Sequence, residues 1–259
     1  MITFFADLDG TLIYSHRHPP RGPCVVAERL NGRDQAYITA RTLRTLSGTD
    51  LIETVPVTTR APRQVERLNP LMQRLGVRRI LMLNGALLME DGRIDARWRE
   101  ASLRLAADAQ TSMARAEALL AASVPPQRLH AYDGLLLYAA SDDPARLAAE
   151  LSGVVDVGQV TLFSDRRKVY CIPSALNKGA AVRRFVEREG IRFCVAAGDG
   201  PLDAPMLRAA NAAILPEEIA DDAPGPGRYV CPRGESFPDF ICDALERILR
   251  EHAQKRPEP

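Results

Sequence analysis

This 259-residue chain predicts an α/β fold, a doubly wound parallel sheet interrupted by an inserted α+β unit. Three observations carry that class. Apolar runs at 2–6, 52–57 and 193–197 each stop at a polar cluster, as strands buried on both faces do. Helical patterns lie between them on short connections, the order that winds a parallel sheet. From 86 to 172 the character changes to an Ala-rich helix and candidate antiparallel strands. The expected division is therefore 1–85 for the first part of the core, 86–172 for the insert and 173–259 for the second part of the core.

The first run ends at Asp7-Leu8-Asp9-Gly10-Thr11. Alternation along a strand sends both acids to one side at the sheet's carboxyl edge, where open α/β sheets bind ligands. Two crowded carboxylates are costly unless a cation or a shared proton offsets their repulsion. Segments 23–27 and 36–39 read as strands around Asn31-Gly32, a strong hairpin signal, standing over that edge. Thr39 or its neighbour caps a helix through about Leu46, ended by Gly48. Strand 52–57 runs into Thr58-Thr59-Arg60, and a helix over 62–75 stops at Gly76. Strand 79–83 leads to Asn84-Gly85-Ala86.

Within the insert, a long helix over 101–122 ends before Pro125-Pro126. A strand at 135–138 and a helix at 144–151 follow, then a hairpin of 159–163 and 169–172 around Asp165-Arg166-Arg167. Trp98 reads as packing within this unit. The core resumes where Asn177-Lys178-Gly179 opens a helix to about Glu189. Strand 193–197 then leads to Asp199 and Asp203, followed by helix 204–210 and strand 212–215. Residues 216–228 read as loop, 237–252 as a last helix, and the tail from Gln254 as frayed.

Composition narrows the class further. Lys and Arg number 34 against 33 Asp and Glu, so the net charge of +1 gives no argument for nucleic acid or a membrane surface. No apolar run approaches the roughly 20 residues that span a bilayer. The first residues lack a signal-peptide pattern, and the five cysteines show neither C-x-x-C nor zinc spacing. A cytoplasmic protein with reduced cysteines is expected.

An acid pair, a hydroxyl, a lysine and a second acid pair, in that order and each at a strand or helix end, resemble the haloacid dehalogenase (HAD) superfamily. Asn84-Gly85-Ala86 and the long insert resemble its subgroup with a type-2 cap, which includes Cof-like sugar phosphatases and sucrose- and trehalose-phosphate phosphatases. The resemblance implies a Rossmann-like core, Asp7 as nucleophile, and Asp9 as general acid and then base. It also implies that Thr58, the backbone of Thr59, and Lys178 bind the phosphate. Mg²⁺ would be held by Asp7, the backbone carbonyl of Asp9, and Asp199, with Asp203 a ligand or just behind one. Substrate contacts are expected of Arg60, Asn84 and Arg166, though Arg60 could instead pair with an acid on its helix. Two departures stand out: Leu202 where the subgroup usually has Asn, and Thr59 where it usually has Gly.

The function expected from this resemblance is a Mg²⁺-dependent phosphatase of small phosphate monoesters, sugar phosphates among them. A phosphomutase or phosphotransferase would use the same core and differ only in the acceptor. A non-catalytic regulator is disfavoured, because a binder needs no paired acids.

Overall fold

The computed structural model describes residues 1–165, 167–225 and 227–254. Its central sheet is parallel, in the order Arg228–Cys231, Ala212–Pro216, Cys194–Ala197, Ile2–Ala6, Ile52–Pro56. All five residues of Ile2–Ala6 are buried because the strand is covered on both faces. Phe4 and Ala6 face a cluster with Leu43, Leu46, Ile241, Leu245 and Ile248, from helices Ala40–Ser47 and Phe237–Gln254. Phe5 faces the other way, onto Val182, Phe185, Met206 and Leu207 of helices Lys178–Glu189 and Ala204–Ala209. Chain order reverses between Ile2–Ala6 and Cys194–Ala197, so a crevice opens beyond their carboxyl ends.

Two local signals formed as expected. Asn31 and Gly32 take positive φ (52° and 74°) in the hairpin of Cys24–Leu30 and Arg33–Thr39, which Tyr14–Ser15 joins as a flap over the crevice. Thr39 caps its helix by accepting from the Thr42 N–H.

Other elements differ from expectation. The helix over 62–75 is two short helices, Pro62–Glu66 and Asn69–Arg74. Pro70 has no N–H for a continuing helix, whereas in the first turn of a new one that group is not needed. The helix over 101–122 is also two, Ala96–Leu105 and Gln110–Ser123, because its halves pack on different cores. Trp98 lies against Phe185 of the central domain, and its indole N–H donates to the Gly85 carbonyl at 3.0 Å. Ala109, Met113, Ala116 and Leu120 instead pack with Leu137, Leu147 and Cys171.

The inserted unit's own core thus runs from 109 to 171 rather than from 86. Leu87–Glu90 and Arg93–Ile94 form antiparallel strands on Arg79–Met82, turning at Asp91-Gly92, and extend the central domain. The insert's sheet is antiparallel, in the order Val160–Asp165, Lys168–Pro173, Leu136–Ala140, Leu129–Tyr132. Leu137, Ala139, Val169 and Cys171 face its helices, and the alternate residues Leu136, Tyr138, Tyr170 and Ile172 face the central domain. Leu129–Tyr132 and the edge strand Arg228–Cys231 were not expected. Gln254 closes the last helix, and the rest of the expected frayed tail, 255–259, lies outside the described residues. Among the described residues no helix is long and apolar enough to cross a membrane.

Candidate active site

Asp7 follows the central strand directly, and Asp199 follows the neighbouring strand Cys194–Ala197 after a single glycine. Lys178 is the first residue of a helix capped by Asn177, whose side chain accepts from the Ala180 N–H. Loop 83–85 braces that helix from beneath. Gly85 (φ 93°) lies where a Cβ would meet the Ala181 Cβ at 2.2 Å, and Asn84 donates to the Leu176 carbonyl at 3.1 Å.

These elements bring the Lys178 ammonium to 2.5 Å from Asp7 Oδ1 and 2.5 Å from Asp203 Oδ1. The other Asp203 oxygen accepts from the backbone N–H groups of Asp199 and Gly200, at 3.1 and 2.9 Å. Asp203 therefore orients Lys178 and the turn that carries Asp199. Thr11 Oγ1 donates to Asp199 Oδ1 at 2.9 Å. Gly10 makes that approach possible, since a Cβ there would lie 2.1 Å from Asp199 Oδ2.

Three carboxylates thus crowd one ammonium, and the electrostatics follow. Burial pushes the Asp7 carboxyl well above its ordinary value; Lys178 opposes this, and Asp203, Asp199 and Asp9 reinforce it. Burial and then Asp203 push Asp199 up to about 6, against the Thr11 hydrogen bond. Burial disfavours the Lys178 ammonium, but Asp203 and Asp7 outweigh it and hold the group above its usual range. One oxygen from each of Asp7, Asp199 and Asp203 lies within 4.8 Å of the others. Hard oxygens with surplus negative charge suit a divalent cation such as Mg²⁺.

Asp9 belongs to a different arrangement. Its carboxylate is exposed, and both its oxygens accept from Arg60, through Nε and Nη2 at 2.7 Å each. Arg60 also donates through Nη1 to Glu28 of the flap at 2.9 Å, and Arg67 donates to the other Glu28 oxygen at 2.5 Å. Arg60 thus pairs with acids, but it lies in the loop before helix Pro62–Glu66 and neither acid is on that helix.

A cavity of about 740 Å³ lies between this cluster and the insert. Asp7, Asp9, Lys178, Asp199 and Asp203 line its floor, and Thr59, Arg60, Gln64 and Arg67 line one side. The insert adds Tyr138, Phe163, Asp165, Lys168 and Tyr170. Thr58 is buried just behind the wall, its hydroxyl accepting from the Arg60 N–H at 3.1 Å. Thr59 is not among the positive-φ positions, so replacing the usual Gly strains no backbone there. Leu202 lines the cavity without a polar group, and Asp203 takes its hydrogen bonds from Lys178 and the backbone instead.

Two expected substrate contacts are not among these residues. Asn84 is buried and does not line the cavity; its side chain ties the loop to Leu176. Arg166 lies outside the described residues, although Asp165 and Lys168 on either side line the cavity. Sequence reasoning passed over Glu28, Arg67, Tyr138 and Tyr170. The alternation of Tyr138 and Tyr170 with apolar neighbours was the available signal for the last two.

No family model matches the chain, and no curated protein sequence matches it. Solved structures do. A HAD subclass IIB sugar phosphatase aligns at a TM-score of 0.67 with 13% identity, over 96% of this chain and 99% of that one. The sucrose-phosphatase of Synechocystis, solved with sucrose and phosphate, aligns at 0.62 with 15% identity, over 95% and 97%. The trehalose-6-phosphate phosphatase of Aspergillus fumigatus aligns at 0.54 with 13% identity, over 96% and 92%. The likeness spans the central domain and the insert together, and the chain has the fold of the HAD phosphatases with an inserted α+β cap.

Proposed function

We propose that the chain is a Mg²⁺-dependent phosphatase that hydrolyses a small phosphate monoester, a sugar phosphate, through an aspartyl-phosphate on Asp7. The observation that carries this reading is the buried Lys178 held by Asp7 and Asp203 beside Asp199, at the floor of a cavity. A protein that only bound an anionic ester would be opposed, not helped, by three acids whose repulsion burial intensifies. The named activities of the similar structures, sugar phosphatase, sucrose-phosphatase and trehalose-6-phosphate phosphatase, support the choice of ester. So does a wall mixing ring faces (Tyr138, Phe163, Tyr170) with polar groups (Gln64, Asp165, Lys168).

In this reading an Asp7 oxygen attacks phosphorus while the bond from phosphorus to the leaving oxygen breaks. The Asp9 carboxyl gives its proton to that oxygen, releasing the alcohol. A water then attacks the phosphorus of the aspartyl-phosphate and gives a proton back to Asp9. Asp7 and inorganic phosphate are thereby freed. Lys178 fixes the Asp7 carboxylate and offsets phosphoryl charge throughout. Asp7, Asp199 and the backbone at Asp9 would hold Mg²⁺, with Asp203 behind them. When bound, the ion supplies the positive charge that lets an anionic carboxylate approach an anionic ester.

Phosphorylated metabolites offered with Mg²⁺, and separately in excess chelator, test this by release of inorganic phosphate. Phosphate release from a sugar phosphate only with Mg²⁺ is expected. An isomerised sugar phosphate without free phosphate would make the protein a mutase, and full activity in chelator would remove the metal from the reading.

A further inference from the structure

The flap holds an acid that this chemistry has not used. Glu28 is only 4% exposed, and so is its neighbour Ala27 at 5%. Two consecutive strand residues cannot both point inward by simple alternation. The pairing of Cys24–Leu30 with Arg33–Thr39 slips on either side of Glu28, a bulge that turns its side chain in toward the crevice. There Oε2 accepts from Arg60 and Oε1 from Arg67. A buried carboxylate is expensive even when paired, and hydrophobic replacements of such pairs are often no less stable. Stability alone is therefore a weak reason for this acid to be here.

Its geometry supplies a stronger reason. The Arg60 guanidinium is shared by two carboxylates, with Nε and Nη2 on Asp9 and Nη1 on Glu28. Both Asp9 oxygens accept from Arg60, so Asp9 can present a proton to a leaving oxygen in the cavity only by giving up at least one of these bonds. The Arg60 side chain is 13% exposed, so once released by Asp9 it would be a largely buried cation. Glu28 is the acid that still compensates it. We propose that Glu28 is a positioning residue: by holding Arg60 from the flap, it lets Asp9 leave the guanidinium and meet the leaving group. This rests on the phosphatase reading, in which Asp9 is the proton donor. Without Glu28, Asp9 would be the only carboxylate on Arg60 and would stay bound to it.

The test compares kcat/KM for an alkyl phosphate, whose leaving oxygen needs a proton, with that for p-nitrophenyl phosphate, whose leaving oxygen does not. This ratio reports steps up to departure of the leaving group, so later hydrolysis on Asp7 does not enter. Glu28→Gln is expected to lower kcat/KM for the alkyl ester by roughly tenfold, a fraction of the 10²–10⁴ that a general acid supplies, and to change the aryl ester by less than about twofold. In an Asp9→Asn background, Glu28→Gln should leave the alkyl-to-aryl ratio where Asp9→Asn put it, because the residue through which it acts is gone; the loss of both acids from Arg60 acts on the two esters alike. A merely structural Glu28 would lower both esters alike in both backgrounds, and that result overturns the proposal. If Glu28→Gln gives no cooperative melting transition, Glu28→Asp replaces it. That variant keeps the charge for Arg67 but is one methylene too short to hold Arg60 as well, and an unchanged alkyl-to-aryl ratio there overturns the proposal too. Wild-type protein that releases phosphate from neither ester with Mg²⁺ would remove the phosphatase reading and this proposal with it. Active wild type with equal losses in Glu28→Gln removes only the proposal.

Discussion

Removing divalent cations and varying the pH should expose the strain built into the acid cluster. Asp199 is raised from 3.8 to about 6, by burial first and by Asp203 second. In the unfolded chain it titrates near its ordinary value, so between about pH 4 and pH 6 the folded protein keeps a proton that the unfolded chain releases. The sign is fixed: the contribution of Asp199 to metal-free stability is most favourable below this window, falls as pH rises through it, and stays low above about pH 6. The gap from 3.8 to about 6 corresponds to roughly 3 kcal/mol for this one group, and Asp7 adds to it in the same direction. Mg²⁺ binds the ionised acids, so it should restore several kcal/mol at pH 7.5 and little at pH 4.5. Urea unfolding in excess chelator and in Mg²⁺, across pH 4 to 8, measures both curves. Asp199→Asn should flatten the chelator curve and reduce the Mg²⁺ effect. Chelator stability that is flat or rises from pH 4 to 6, or an Asp199→Asn curve as steep as wild type, would refute the reasoning.

Other substitutions test the remaining parts of the site. Asp7→Asn should abolish turnover while leaving a cooperative melting transition, measured by phosphate release and thermal unfolding; retention of most activity would reassign the nucleophile. Lys178→Met leaves Asp7 and Asp203 without their shared cation, so it should cost roughly 3–5 kcal/mol in chelator and at least about 10²-fold in kcat, read by urea unfolding and steady-state kinetics. Gly10→Ala places a Cβ 2.1 Å from Asp199 Oδ2 in a left-handed backbone and should weaken Mg²⁺ binding, followed by calorimetry, more than it lowers stability in chelator. Lys168→Ala, on the cap wall, should raise KM for the sugar phosphate several-fold while p-nitrophenyl phosphate turnover stays near wild type.

The legible parts of the fold were those decided within a few residues. Asn31-Gly32 fixes a hairpin because both residues take positive φ without help, and Asn177 fixes a helix start because its side-chain partners, Ser174 and Ala180, lie three residues away on either side. What sequence missed was decided by distant packing. Nothing in 101–122 marks a break, yet Trp98 is drawn to Phe185 in one core and Met113 to Leu137 in another. The Arg228–Cys231 strand follows a segment rich in Pro and Gly, and it exists because the exposed edge of Ala212–Pro216 offers it a ladder.

The same distinction divides the site. Asp7, Lys178 and Asp199 were legible because each stands just past an apolar run or opens a capped helix, with Asp203 four residues beyond Asp199, and a parallel sheet collects such ends along one edge. Arg60 was half legible: its position beside the acids follows from strand Ile52–Pro56 pairing with Ile2–Ala6, but its partners do not. Alternation assigns Glu28 to solvent, and only a slipped register in a hairpin ordered by other residues turns it inward. The acids that make the reaction conceivable are therefore fixed by the order of strands. The arrangement around Asp9 depends on a bulge in the flap, so a change at Val26 or Ala27 that restored regular pairing would swing Glu28 outward and leave Asp9 as the remaining acid on Arg60.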